Sequence, residues 1–535
     1  MGKTMMTGSA TPAAAISPSS NRTLEKLEHF LCKIILLASI DIVIRKLYCL
    51  RGYPGNVGYN ISDTHYKQNS VDTYMEIFWQ RILTVKRIFR ISRKSKKCVD
   101  FSRQFFPEIL SPLLVLIISS SACALPAFPC AEGFGSDTLG GRGGRVIKVT
   151  NLNSSGPGSL QSACEMAEPR IVVFEVSGVI TGDIVITEPY ITIAGQSAPG
   201  AGITIRGMLS TSAKKDRVHD VVARFLRVRP DAGRGAQLDA IQFSVVDKAV
   251  LDHISCSWAE DETIDIYSHA TNVTIQWCTI EESATKGHAK GPHNYGLIAG
   301  PGSSRISIHH NLFIHQRRRN PAIATGPADF RNNVVYNFRD GFSHEGHPPK
   351  PPFSIVGNYY KRGPSDPKIF PFCFSGKTPY YLRDNYIEGV GMIQNPWAEA
   401  DKLYGLSYYK NKGVRQNNEP DMAPVKTYSP KQAYRLVLAR SGCFPRDAVT
   451  KRLINDIIIG TGSWGRKDQK NLMEGLKPGK APRDSDNDGM PDQWETVHGL
   501  DKTRNDANRK MPSGYTAIEE YLNELAGKMI GNEIF

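Results

Sequence analysis

No stretch of this 535-residue chain reaches 18 uncharged apolar residues, which excludes a polytopic membrane protein. No helical period alternates with its short β-branched runs, which argues against a βαβ sheet. A net basic excess is small over most of the chain. The formal net charge is +14, but residues 1–125 hold 17 Lys/Arg against 8 Asp/Glu, and the other 410 hold 49 against 44. The excess therefore sits mainly outside what reads below as the folded body, and nucleic acid is not an expected partner. A disordered composition is also absent, with 40% apolar and 22% charged residues. What is abundant is glycine (47) and proline (33), which suits a turn-rich β protein long enough to bury a large core.

Residues 1–107 show no clear period and read as an extension, mis-called or disordered. Arg93, Lys94, Lys96, Lys97 and Arg103 then form a basic run. An apolar stretch follows over 109–118, then small residues over 119–124. Basic, apolar, small is the order of a secretory signal, placed here at 108–124. Its distance from Met1 favours a start placed too early, with Met75 the nearest Met upstream; a buried core helix is the alternative. The expected destination is extracellular, with the periplasm or a surface anchor as variants, and no stable membrane span after processing. Six cysteines follow: Cys130, Cys164, Cys256, Cys278, Cys373 and Cys443. An even number fits disulfides, and free buried thiols fit equally well.

From about Val146 the chain becomes short strands with polar or Gly-rich breaks, as at 170–176, 190–194, 221–228 and 273–278. Aligning these runs on Cys256, Cys278, Asn311, Asn333, Asn358 and Asn385 gives intervals of 22, 33, 22, 25 and 27 residues. A period in the twenties, with strands and no helix in each repeat, predicts a parallel β-helix. Asparagines at matching positions can stack as a hydrogen-bonded ladder at bends where left-handed geometry suits them. The longer interval implies an inserted loop between Cys278 and Asn311. A β-sandwich with evenly spaced turns is the other fold open to this pattern.

Asp239 and Asp261 lie 22 residues apart, one coil, which would set their side chains about 4.8 Å apart on neighbouring rungs. Asp265 is an even offset beyond Asp261, on the same side of an extended segment. Three crowded carboxylates repel unless a cation sits among them, and oxygen-only ligands favour Ca²⁺. Solvated surface acids are the plainer alternative. The inserted loop brings Lys286, His288, Lys290 and His293, and Arg317, Arg318 and Arg319 follow just before Pro321. Acids facing bases suggest an anionic substrate held by metal on one side and by cations on the other. Standing alone, such an arginine run reads as a solvated tip.

Near the C-terminus, Asp484, Asp486, Asp488, Gly489, Asp492 and Glu495 complete the pattern Asp-x-Asp-x-Asp-Gly-x5-Glu. Met490 would offer its backbone carbonyl and Glu495 two oxygens, so a calcium loop is expected in a small helical tail over 484–535. Residues 465–483 read as a linker to it.

Taken together, several of these motifs resemble the secreted pectate lyases. The resemblance rests on 127–135, the glycine-rich 140–144, 155–160, 192–196, Asp252 with His253, Asp261 with Asp265, and Arg319 with Pro321. It runs from about Ala127 to about Trp464. It implies a right-handed parallel β-helix over 125–464. The implied activity is calcium-dependent cleavage of polygalacturonate by β-elimination, giving 4,5-unsaturated oligogalacturonates. By resemblance Asp239, Asp261 and Asp265 are calcium ligands, and Arg319 takes the C5 proton or stabilises charge while water or hydroxide takes it. Lys290 holds a substrate carboxylate, with His288, Arg317 and Arg318 as further substrate contacts. Asp252 and His253 look structural, and the enzyme is expected to act as a monomer on acidic polysaccharide. Two departures stand out. Ala324 occupies a position where the family often has a second arginine, a contact that Arg317 or Arg318 would have to supply. Cys130 replaces a glycine and could pair with Cys164. The Asn-Thr-Asp and Gly-His-Gly signatures of polygalacturonase-like hydrolases are missing. The rival readings are a β-helical module that binds acidic glycans without cutting, or a lyase for another uronate.

Overall fold

The computed structural model describes residues 125–214, 218–231, 238–344, 349–403 and 408–531. The extension at 1–107 and the export signal at 108–124 lie outside the described residues. Successive coils each donate strands to parallel sheets. The first sheet has eleven strands, from Arg145–Val149 to Val414–Arg415. The second has ten, from Gly178–Thr181 to Gly391–Met392, and its last pairing alone is antiparallel. The third has six, from Ile184–Ile186 to Ala322–Ile323; a bridge from Ala322 to Ser343 leads on to three more at Asp340–Phe342, Phe370–Cys373 and Tyr409–Asn411. The chain is a parallel β-helix.

Its core follows from the β-branched runs. Ile193, Ala223, Leu251, Ile275, Ile308, Phe330 and Ile355 stand in one column, each paired in register with the next and all buried. Such columns suit β-branched and aromatic side chains, and each full-sized member contributes about 1.5–3 kcal/mol by leaving water.

At the corner between the first and second sheets, Phe225, His253, Trp277, His310 and Asn332 adopt φ between 52° and 57°. This left-handed turn is unusual for non-glycine residues, and aromatic stacking along the corner offsets its cost. Ring centroids are 4.8 Å apart for Phe225–His253, 6.2 Å for His253–Trp277 and 4.4 Å for Trp277–His310. The residue after the corner carries the ladder. Asn333 Oδ1 accepts from Asn311 N and Nδ2, both at 3.0 Å. Asn358 Oδ1 accepts from Asn333 N at 2.9 Å and Nδ2 at 3.1 Å. Asn385 repeats the pattern on Asn358. The ladder is as the spacing implied, but the left-handed residue is its predecessor rather than the asparagine. The first anchor is also displaced, because Ile254 N–H points at Cys278 Sγ while Cys256 pairs with Ile280.

The six cysteines from Cys130 onward are all free thiols, five of them buried. The Cys130–Cys164 bond is therefore corrected: Cys130 is exposed, whereas Cys164 is fully buried in the core beside Leu160.

Helices Pro430–Arg440 and Ala448–Ile459 pack Val437, Leu453 and Ile457 onto Leu312, Ile314 and Val334 of the second sheet. Residues 465–483 hold no helix or strand and lie against the solenoid; Leu472 is buried there, and Gly479 N–H donates to Pro199 O at 3.2 Å. Beyond them, Met490, Ile518 and Leu522 cover Ile171, Val173 and Ala194 on the outer face of the first sheet. The tail is thus part of one compact unit with the coils.

Candidate active site

The third sheet sets the acidic cluster. Its register pairs Ile241 with Ile264 and Gln242 with Asp265. Counting back two residues places Asp239 beside Glu262, not Asp261, and Glu262 N–H donates to Asp239 Oδ1 at 3.0 Å. One oxygen each from Asp239, Asp261 and Glu262 lie within 4.8 Å of one another. Asp265 joins them through Gln242, whose Nε2 donates to Asp239 Oδ2 at 3.1 Å and Asp265 Oδ2 at 3.4 Å. Asp239, Glu262 and Asp265 are only 3%, 4% and 8% exposed.

Burial first, then the neighbouring charges of Asp265 and Asp261, hold the Asp239 carboxyl well above the usual range. Burial pushes Asp265 up to about 7, with the Asp261 charge adding to it. Asp265 Oδ1 has no hydrogen-bond partner. Buried carboxylates that repel, with an orphaned oxygen among them, fit a hard divalent cation such as Ca²⁺. On the loop side, His288 Nε2 lies 3.3 Å from Asp261 Oδ2, and His293 Nε2 lies 3.6 Å from Asp261 Oδ1.

The arginines divide. Arg319 enters a left-handed turn at φ 57°, lies 4.5 Å above the Tyr295 ring, and pairs through Nη1 with Glu262 Oε1. Tyr295 is the ladder partner of Glu262 and bridges in turn to Arg318, so carboxylate, ring and guanidinium come from three successive rungs. Arg318 turns elsewhere: its Nε is 3.3 Å from Asp340 Oδ2, which Lys410 Nζ also approaches at 2.5 Å. Arg317 is fixed through its backbone, its N–H donating to Asn294 Oδ1 at 2.7 Å. Lys290 is exposed, and its backbone N–H donates to His288 Nδ1 at 3.0 Å. Ala324 is buried. Asp252 is fully buried, bound by Arg224 Nε at 2.8 Å and Gln276 Nε2 at 2.8 Å, which ties three successive coils together.

The structure thus brings Asp239, Asp261, Asp265 and Arg319 to one place and sets Arg318 against Asp340. Sequence reasoning missed Glu262, Gln242 and Tyr295. The missing signal was register: the coil between Asp239 and its neighbour is one residue longer than the 22-residue spacing assumed.

The tail loop is a second cluster. Oxygens of Asp484, Asp486 and Asp488 lie within 4.8 Å of one another. Gly489 takes φ 91° and donates its N–H to Asp484 Oδ2 at 2.9 Å; a Cβ there would strike Val146. Met490 N–H donates to Asp488 Oδ1 at 2.9 Å, and its side chain is buried against the first sheet. Glu495 is 0% exposed, neither carboxylate oxygen has a partner, and burial with the nearby aspartates pushes it up to about 8. Asp492 departs from expectation. It accepts from Ser485 N at 2.7 Å and Ser485 Oγ at 2.8 Å, outside the converging trio. Lys148 Nζ, from the first strand, sits 2.7 Å from Asp484 Oδ2.

No family model matches the chain. Curated relatives do. A protein named "Probable pectate lyase C" from Neosartorya fischeri is 35% identical over 441 residues, covering 78% of this chain and 98% of that protein. Its namesake from Aspergillus terreus is 36% identical over 426 residues, covering 76% and 95%. Among solved structures, the pectate lyase of Bacillus sp. N165 in complex with trigalacturonate has a TM-score of 0.42 at 18% identity, covering 58% of this chain and 98% of that one. The last likeness is too loose to carry weight; identity above one third across nearly the whole of the two fungal relatives is not, and this chain belongs to the pectate lyase family, a group of polysaccharide lyases.

Proposed function

We propose that this chain cleaves pectate by calcium-dependent β-elimination, with 4,5-unsaturated oligogalacturonates as products. The observation that carries the reading is the meeting of Asp239, Asp261 and Asp265 in one largely buried cluster, with Arg319 reaching back from two rungs beyond Asp261 and Asp265 to pair with Glu262. Asp239, Asp261 and Asp265 would hold the cation. Calcium, when bound, supplies a Lewis acid that stabilises charge developing on the uronate carboxylate. Arg319 lies at the edge of that cluster, where a sugar carboxylate bridging to the acids would set its C5–H near the guanidinium. Arg319 takes the C5 proton, or stabilises the developing charge while water or hydroxide takes it; a C4–C5 double bond forms, and the C4–O4 bond breaks with its electrons going to the leaving sugar oxygen, which takes a proton from water. Lys290, exposed on the loop, His288, held against Asp261, and Arg317 are the further substrate contacts of this reading. Arg318, held by Asp340, has the weakest claim to touch substrate.

The tail loop of Asp484, Asp486, Asp488 and Glu495 is a second calcium site of structural purpose in this reading. Met490 contributes its carbonyl, and Asp492 acts by holding the loop through Ser485. The chain acts outside the cell as a monomer. No helix among the described residues is long and apolar enough to cross a membrane.

The test is the ultraviolet absorbance of the unsaturated product when polygalacturonate and Ca²⁺ are added. The expected trace rises, fastest at alkaline pH, and chelator abolishes the rise. A flat trace with polygalacturonate still bound would replace the lyase by a glycan-binding module.

A further inference from the structure

We propose that Glu262 is a fourth carboxylate of the cleft's cation pocket, shared with Arg319, so that cation binding and the placement of Arg319 are linked. The inference rests on the reading above that this pocket takes calcium. Its own ground is the position of one side chain. Glu262 has an oxygen within 4.8 Å of oxygens of Asp239 and Asp261, and its Oε1 pairs with Arg319 Nη1. It is 4% exposed, so water cannot satisfy whichever oxygen loses its partner.

Demand for that carboxylate comes from both sides. Calcium takes about six to eight oxygens at about 2.3–2.6 Å, more than three aspartates supply unless each binds through both oxygens. Asp239 has one oxygen engaged by Glu262 N–H and the other by Gln242. Glu262 is the remaining buried carboxylate within reach. The guanidinium is the cation that holds it in the structure described here. A divalent ion among the aspartates draws the same carboxylate toward itself and loosens the pair. Arg319 does not lose its place, because the Tyr295 ring lies 4.5 Å beneath it and attracts a cation independently. The guanidinium, 24% exposed, then turns its donors to substrate. Loading the pocket in this way readies the arginine.

Linkage makes the coupling reciprocal: if the cation loosens the Glu262–Arg319 pair, losing Arg319 must tighten cation binding. The test is a double-mutant cycle on Ca²⁺ affinity, read by titration calorimetry on the full chain without substrate. All members carry Glu495→Gln to silence the tail loop. Glu262→Gln is expected to weaken binding about tenfold and Arg319→Ala to tighten it about tenfold, whereas Arg319→Ala added to Glu262→Gln changes it by no more than about twofold. Arg319→Lys, which keeps the charge and guards against a folding defect, should fall between wild type and Arg319→Ala.

Equal tightening by Arg319→Ala in both backgrounds would mean simple repulsion between guanidinium and cation, and would overturn the proposal. An unchanged affinity in Glu262→Gln would do the same. Loss of all cleft binding in the otherwise unaltered chain sinks the calcium reading first and this inference with it; intact binding with additive effects sinks this inference alone.

Discussion

The acidic cluster on the third sheet, here the cleft, and the tail loop are both groups of carboxylates, and they are built in opposite ways. The tail pocket is local: Asp484 to Glu495 follow one another through a single loop. The cleft pocket is assembled from coils, with Asp239 on one, Asp261, Glu262 and Asp265 on the next, and Arg319 further on. In each, a basic residue from elsewhere reaches one acid, Lys148 to Asp484 and Arg319 to Glu262. Each also hides unpartnered carboxylate oxygen, on Asp265 in the cleft and on Glu495 in the tail. The difference lies in what the intruding base touches besides the acid. Lys148 also meets Glu175 at 2.9 Å, within the first coils, and so ties the tail to the solenoid. Arg319 lies across an aromatic ring at the partly exposed edge of the acidic cluster. One base fastens; the other, in the function proposed above, serves the chemistry.

Exchanging the two bases for neutral side chains gives the largest expected contrast. Arg319→Ala should lower turnover of polygalacturonate about 10³-fold, the scale of losing a key charge-stabilising donor, with a circular dichroism spectrum like the parent's. Lys148→Met should leave turnover within about twofold and lower the thermal midpoint by a few degrees, about what a partly buried ion pair contributes. Normal turnover in Arg319→Ala would remove the arginine from the chemistry and dissolve the contrast.

A smaller effect separates the carboxylates. Glu495→Gln should keep turnover but lose the calcium-induced protection of the tail, read from the fluorescence of Trp494, which is buried against Tyr521 and His498. Asp265→Asn should keep that fluorescence response and lose turnover at least about 10²-fold. Both variants behaving alike would mean that the pockets are not independent.

These contrasts also explain what could be read from the residues alone. The tail loop was legible because its pattern and its geometry occupy the same twelve residues, though Asp492 shows that a matching letter need not point inward. The β-helix was legible through its asparagine ladder, since a buried amide must find a partner on the next rung. The three aspartates were legible as a cluster. Glu262 was not, because its place depends on a coil one residue longer than the spacing assumed, and a single-residue slip exchanges which side chain faces the pocket. Cys256 was misaligned for the same kind of reason. The turn of Arg318 toward Asp340 could not be read either, since Asp340 belongs to the next coil and meets the arginine run only when the strands are stacked.

The smallest expected effect is a dependence of the calcium response on pH, and its sign follows from the raised carboxyls. Asp265, at about 7 in the folded chain, stands above its unfolded value of about 3.9. Glu495, at about 8, stands above about 4.3. Between the two values the folded chain binds more protons than the unfolded one. The calcium-free protein is therefore most stable below the unfolded value and loses that advantage as pH rises through the folded one. Calcium offsets the cost of ionising these groups, so its gain in thermal midpoint should grow over the same window. With Glu495→Gln the cleft acids dominate, and the gain should grow through pH 7 as Asp265 ionises. With Asp265→Asn the tail dominates, and the gain should keep climbing to about pH 8. A gain that stays constant from pH 5 to pH 8 in both variants would mean that the carboxylates are ionised throughout, and that neither pocket holds the strained, crowded charge on which the comparison between them stands.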